Sequence, residues 1–101
     1  MEPQKARTKS TRKAAEMLAI KALAFIGEDP RALARFLDIS GIPAREIRTA
    51  SREPGFLAGV LAHMLSDEKL LVAFADSAGI DPAAVTRAAG ALGGHWERDL
   101  P

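Results

Sequence analysis

Residues 67–88 read DEKLLVAFADSAGIDPAAVTRA, and this stretch predicts two helices joined by a glycine turn. An acidic side chain before an apolar run can cap the start of a helix, and Gly79 suits the left-handed residue that ends one. Asp81-Pro82 then opens the next helix, because proline is tolerated at the first helical position. Similar helix-start and helix-end residues recur along the rest of the chain.

An internal repeat is visible at an offset of 38 residues. Residues 29–50 read DPRALARFLDISGIPAREIRTA and align without gaps with residues 67–88. Seven of the twenty-two aligned positions are identical, including Phe36 with Phe74 and both turn glycines. Because two units are few for a solenoid, we expect two similar three-helix halves that close on one core.

Composition favours an all-α fold, a compact bundle of about six short helices. Twenty of the 101 residues are Ala, the best helix former, and no segment alternates apolar and polar residues over the length of a strand. The predicted helices span residues 10–26, 29–41, 43–52, 54–65, 66–79 and 81–93. The predicted core residues are Leu18, Leu23, Phe25, Ile26, Phe56, Leu57, Val60, Leu61 and Leu65.

Charge is unevenly distributed along the chain. Residues 1–13 carry five basic and one acidic side chain, a local charge of +4, while the remainder carries −3 and the total is +1. This balance excludes the strongly basic nucleic-acid proteins and the acidic disordered chains. We predict a flexible basic arm at residues 1–9, a single helical domain at residues 10–93 and a flexible tail at residues 94–101.

The apolar run at residues 14–26 follows the basic arm, as in a signal peptide. Glu16 and Lys21 interrupt the run, no small-residue cleavage site follows, and thirteen residues are too few to cross a bilayer. We therefore expect a cytoplasmic protein without a transmembrane segment.

Residues typical of catalysis are sparse. The chain has no Cys, and His63 and His95 are 32 residues apart with no carboxylate at metal-ligand spacing. No phosphate-binding glycine loop or nucleophile elbow is present. We predict that the protein is not an enzyme and uses no cofactor and no metal. His63, on a mostly apolar helix, is interpreted as a packed, hydrogen-bonded or partly exposed side chain.

Basic side chains form the candidate binding surface. Arg45, Arg48 and Arg52 are spaced three and four residues apart, which predicts one shared face of the third helix. A solvated face, paired with Glu46 and Glu53, is the simpler interpretation of this arginine stripe. The full set of possible anion-facing or partner-facing residues is Arg45, Arg48, Arg52, Arg31, Arg35, Lys9, Arg12 and Lys13.

The spacing of Ala75, Gly79 and Val85 is similar to that of DNA-binding helix–turn–helix units. The helix that would enter the DNA groove carries a single basic residue, Arg87, whereas phosphate contact needs several. We therefore predict a non-enzymatic protein-interaction or accessory module with an unknown protein partner. The alternative is a nucleic-acid-binding, helix–turn–helix-like module that uses the basic arm and the arginine stripe. A homodimer through the apolar helices is also left open.

The segments PGFLAGVLAHML (54–65), DEKLLVAFAD (67–76), GIDPAAV (79–85) and ALGG (91–94) resemble the family called domain of unknown function 3572. The resemblance covers about residues 14–94. It implies a compact helical domain from bacteria, chiefly alpha-proteobacteria. It carries over no catalytic or binding residue, since the family has no assigned activity.

Overall fold

The computed structural model describes the backbone of residues 3–98 and the side chains of residues 11–53 and 55–92. The described backbone is helical apart from short connections, which confirms the all-α prediction. The helices are α1 (Pro3–Gly27), α2 (Pro30–Ser40), α3 (Ile47–Ala50), α4 (Pro54–Leu65), α5 (Glu68–Ala78) and α6 (Pro82–Arg98), with a 3₁₀ turn at Ala44–Glu46. None of the helices, over the residues described, has the length and hydrophobicity needed to cross a membrane.

The ends of α2 and α5 follow directly from local sequence. Asp29 and Asp67 each accept a hydrogen bond from a backbone N–H of the helix that follows, at 3.0 and 3.2 Å. Gly41 and Gly79 end the two helices in the left-handed conformation, with φ of 72° and 68°. These are the caps that the repeat predicts, because a carboxylate satisfies free N–H groups and glycine lacks the clashing Cβ.

The likeness between the two halves is clear only in α2 and α5. Each of these helices has 11 residues and buries one phenylalanine, Phe36 or Phe74, which are both 2% exposed. The last helix of each half differs, since α3 has 4 residues with no buried side chain whereas α6 has 17 residues. The prediction of two similar three-helix halves is therefore not confirmed.

The core lies between α1, α4 and α6, which contact one another, while α2 and α5 cover its sides. Of the predicted core residues, four are buried: Ile26, Leu57, Val60 and Leu61. The other five are half-buried: Leu18, Leu23, Phe25, Phe56 and Leu65. The alanines of α1 were not predicted, yet Ala15, Ala19 and Ala22 are all buried at the centre.

Two helices are longer than predicted. The first begins at Pro3 instead of Ser10, and the last continues to Arg98 instead of ending by Gly93. Residues 4–9 contain Gln, Lys, Ala and Arg, which are good helix formers, so the basic segment extends α1 without a break. The predicted flexibility of residues 1–9 and 94–101 remains a prediction.

The third helix is shorter than the predicted span of residues 43–52. The chain instead forms the 3₁₀ turn and the single α-helical turn of α3. The backbone N–H groups of Arg52 and Glu53 bond to carbonyls three residues earlier, as in a tightening turn. Glu53 is extended, with φ −101° and ψ 129°, because Pro54 disfavours the helical conformation in the residue before it.

Candidate interaction groove

An apolar groove of about 470 Å³ lies between α2 and α4, and we call it the α2–α4 groove. From α2 and the turn after it come Phe36, Ile39, Ser40 and Ile42. From α4 and its end come Gly55, Phe56, Gly59, Ala62, His63 and Ser66. Its volume and its mainly apolar lining with a few polar groups are typical of binding sites.

Small residues line the α4 side of the groove. Gly55, Gly59, Ala62 and Ser66 are spaced four, three and four residues apart, so they share one face of the helix. A Cβ atom added at Gly55 or Gly59 would meet no atom within 4 Å. The space above the two glycines is therefore open, and a ligand can approach the helix backbone there.

Aromatic contacts hold the two sides of the groove together. The ring of Phe36 lies 5.7 Å from that of Phe56 and 5.1 Å from the imidazole of His63, both measured between centroids. Both pairs are close to edge-on, the favoured arrangement, at interplanar angles of 69° and 67°. Buried Phe36 thereby links α2 to α4.

A polar cluster lies at the Ser66 end of the groove. Burial lowers the pKa of His63, the carboxylate of Asp67 opposes this shift, and the charge of Arg35 adds to it. Arg35 reaches from α2 to Asp67, with 3.4 Å between Nη1 and Oδ2. The Ser66 hydroxyl donates a 2.7 Å hydrogen bond to the His63 carbonyl. The lowered pKa favours a neutral imidazole, so this wall of the groove carries no charge of its own at neutral pH.

Ile39 leaves an apolar side chain uncovered at the groove. It is 68% exposed, the most exposed of the large apolar side chains in the part of the chain whose side chains are described. Covering such a side chain fully would stabilise a complex by up to about 2 kcal/mol. The groove and Ile39 together form a contiguous surface suited to apolar contacts.

The predicted basic residues are dispersed over several elements. Arg45 lies in the 3₁₀ turn, Arg48 in α3 and Arg52 beyond its end, so the three do not share one continuous helix as predicted. All three are exposed. Among the residues with described side chains, no ion pair joins them to Glu46 or Glu53.

The remaining candidate residues do not form one cluster with these arginines. Arg31 and Arg35 are exposed on α2, and Arg35 is engaged with Asp67. Arg12 and Lys13 are exposed on α1, while the side chain of Lys9 lies outside the described residues. The described residues also contain no group of three or more His, Asp or Glu side chains that could hold a metal ion.

Sequence reasoning missed the α2–α4 groove as a site. The spacing of small residues from Gly55 to Ser66 was a usable signal, since it marks a helix face without bulk. The signal does not say whether another helix of the same chain covers that face, and only the packing of α2 against α4 shows that it stays open.

A protein-family model matches most of the chain. The sequence model of the family described as "Protein of unknown function (DUF3572)" matches residues 12–95. No curated protein and no solved structure matches the chain.

Proposed function

We propose, for a chain that belongs to the DUF3572 family, the function of a non-enzymatic protein-interaction module. The module takes the apolar side of an amphipathic helix from a protein partner into the α2–α4 groove. The observation that carries this proposal is an open apolar groove with small residues along one wall and the exposed Ile39 beside it.

The length of the groove suits a helix. Gly55 and Ser66 are separated by eleven residues of helical chain, about 16 Å at 1.5 Å per residue. A helix that docks in a groove anchors itself through apolar side chains at i, i+3 or i+4, and i+7, which span about two turns. The α2–α4 groove therefore has room for a complete set of anchors.

The wall chemistry specifies large apolar anchors. Above Gly55 and Gly59 the space is open, so a Leu, Ile or Phe side chain of the partner can enter. Phe36 and Phe56, which contact each other, add aromatic surface to the lining of the groove. Apolar burial of this kind is the main favourable term in such association.

Charges near the groove support a partner with acidic flanks. Arg45, Arg48 and Arg52 lie on the segment that joins Ile42 to Gly55, and both of these end residues line the groove. The three arginines are exposed and have no carboxylate partner among the described residues. Complementary charges at a rim increase association rates and fix orientation more than they raise affinity.

A displayed library of amphipathic helices of about 16 residues, selected against the purified chain, tests this function. We expect enrichment of helices with apolar residues at i, i+4 and i+7. Gly59→Leu fills the groove and should abolish their binding. Gly90→Leu is the matched control, because Gly90 is an exposed helical glycine of α6 with nothing within 4 Å of an added Cβ.

The proposal fails under either of two results. The first is a selection that enriches no helical sequence pattern on the folded wild-type chain. The second is a set of binders that the Gly59→Leu and Gly90→Leu variants retain equally, since binding would then occur elsewhere.

A second candidate function is nucleic-acid binding. It is favoured by the continuous helix that starts at Pro3 and carries the basic segment, and by the exposure of Arg12 and Lys13. Binding to duplex DNA should then weaken steeply with salt, by a slope that reports the number of phosphates contacted. Substitution of Arg45, Arg48 and Arg52 by Ser should reduce that slope. A chain that shifts no DNA at low salt rules this candidate out.

A further inference from the structure

A second apolar surface lies on α1, on the side that faces away from the core. Met17 and Ile20 are 56% and 49% exposed, and Ala24 is exposed on the same side. The core-facing residues of the helix are Ala15, Ala19, Ala22 and Ile26. Helix α1 is therefore apolar on two opposite sides, and the described part of the chain covers one of them.

The exposed residues follow the spacing of a coiled coil. Lys13, Met17, Ile20, Ala24 and Gly27 are separated by four, three, four and three residues, and all are exposed. These are the a and d positions of a heptad repeat, with Met17 and Ala24 at a. We call these five residues the α1 outer stripe.

Two opposite charges flank the α1 outer stripe. Glu16 precedes Met17 at heptad position g, and Lys21 follows Ile20 at position e, five residues later. Neither makes an ion pair within the described part of the chain. In a parallel pair of helices, position g of one helix faces position e of the other, so Glu16 meets Lys21 of the second copy.

The antiparallel arrangement lacks this complementarity. There, position g of one helix lies on the same side as position g of the other, and the same holds for position e. Glu16 would then lie on the side of the second Glu16, and Lys21 on the side of the second Lys21. Glu16 and Lys21 therefore favour the parallel orientation, whereas Lys13, at position d, faces the second Lys13 in that orientation and opposes it.

We propose that two copies of this chain associate through the α1 outer stripes as a parallel pair, with two Glu16–Lys21 ion pairs across the interface. This surface is separate from the α2–α4 groove, and the dimer does not depend on the proposed function. An interface built on one helix pair belongs to the small, transient class, so we expect micromolar affinity.

Charge reversal tests the pairing by sedimentation of the full chain. Glu16→Lys or Lys21→Glu alone should raise the dimer dissociation constant about three- to thirtyfold, because both ion pairs become repulsive. The double variant E16K/K21E should restore the wild-type value. Single reversals without effect contradict the parallel pairing, and so does a double variant as weak as the single ones.

Disulfide crosslinking tests the orientation, since the chain contains no Cys of its own. Two cysteines bridge only when their Cα atoms lie within about 7 Å. Under oxidation Ala24→Cys should yield a covalent dimer, because residue 24 faces residue 24 in the parallel pair. Val72→Cys, at a 50% exposed site on α5, is the control and should not.

Two results would overturn the proposal. One is a wild-type chain that remains monomeric at several hundred micromolar. The other is crosslinking of the Ala24→Cys variant at no more than the rate of the Val72→Cys variant. Both variants replace exposed side chains, so their circular dichroism spectra should match that of the wild type and exclude misfolding as a cause.

Discussion

The ring of Phe36 meets the imidazole of His63 nearly edge to face, with 5.1 Å between centroids. This contact places a titratable group against a buried ring of another helix. Burial lowers the pKa of His63, so the folded chain favours the neutral imidazole over the charged form. We therefore expect the link between α2 and α4 to respond to pH.

Acid should weaken the fold through His63. Its pKa is lowered in the folded state, so the unfolded chain binds the proton first as the pH falls below about 6.5. The contribution of His63 to stability is present above that pH, is lost as the pH falls through the folded-state pKa, and levels off below it.

Urea denaturation of the wild type and of His63→Gln, repeated between about pH 5 and pH 8, isolates this contribution. As the pH falls, the free energy of unfolding of the wild type should decrease more than that of the His63→Gln variant. His95 is present in both proteins, so the comparison isolates the replacement of His63. The lowered pKa of His63 is contradicted if the two proteins lose equal stability on acidification, or if the wild type loses less than the variant.

Glycines at two kinds of position should respond oppositely to substitution. Gly79→Ala should lower the free energy of unfolding by about 1 kcal/mol, because Gly79 has φ 68°, a left-handed conformation in which a Cβ crowds the residue's own carbonyl oxygen. Gly59→Ala should raise it by about 0.5–1 kcal/mol, since alanine favours a helix interior and the space is open. Thermal or chemical denaturation measures both, and a destabilised Gly59→Ala variant would show that the groove is occupied by the chain itself.

The buried alanines of α1 set how closely the central helices approach. Ala19 is fully buried, so Ala19→Leu should cost about 1–3 kcal/mol through overpacking. Ala34→Leu makes the same replacement at an exposed position of α2 and should change stability by less than about 0.5 kcal/mol. Chemical denaturation compares the two variants. If Ala19→Leu costs as little stability as Ala34→Leu, the α1 interface tolerates the larger side chain.

The cap at the start of α5 should depend on an oxygen rather than on a charge. Asp67 accepts a hydrogen bond from the backbone N–H of Leu70, so Asp67→Ala should cost about 1 kcal/mol. Asp67→Asn keeps the accepting oxygen and should cost clearly less, although it weakens the exposed ion pair with Arg35. If the two variants lose equal stability, the ion pair and not the cap is the source.

Helix ends were predictable from sequence because their causes are local. Asp67, Gly41 and Gly79 act through their own backbone and its nearest neighbours, and the structure places them where the pattern predicts. The third helix was mispredicted, since the chain forms a 3₁₀ turn at Ala44–Glu46 and tightens again after Ala50. The restriction that Pro54 imposes explains only why Glu53 lies outside the helix.

Packing required the structure. Large apolar residues suggest burial by their size, but Ala19 is buried because of where α4 and α6 cross α1. Ile39 is a large apolar residue of the kind found in cores, yet it is exposed because no helix in the described part of the chain crosses it. The α2–α4 groove arises from how these helices pack, and the sequence indicates it only through the spacing of small residues on α4.

The packing of α6 against both α1 and α4 has a consequence for how the chain is made. The first helix leaves the ribosome long before Val85, Ala88 and Leu92, which complete the core from α6. Until they emerge, the apolar inner sides of α1 and α4 lack their cover and are open to chaperones and proteases. Completion of this core therefore waits until α6 has been made, and a chain interrupted before α6 lacks the residues that close the core.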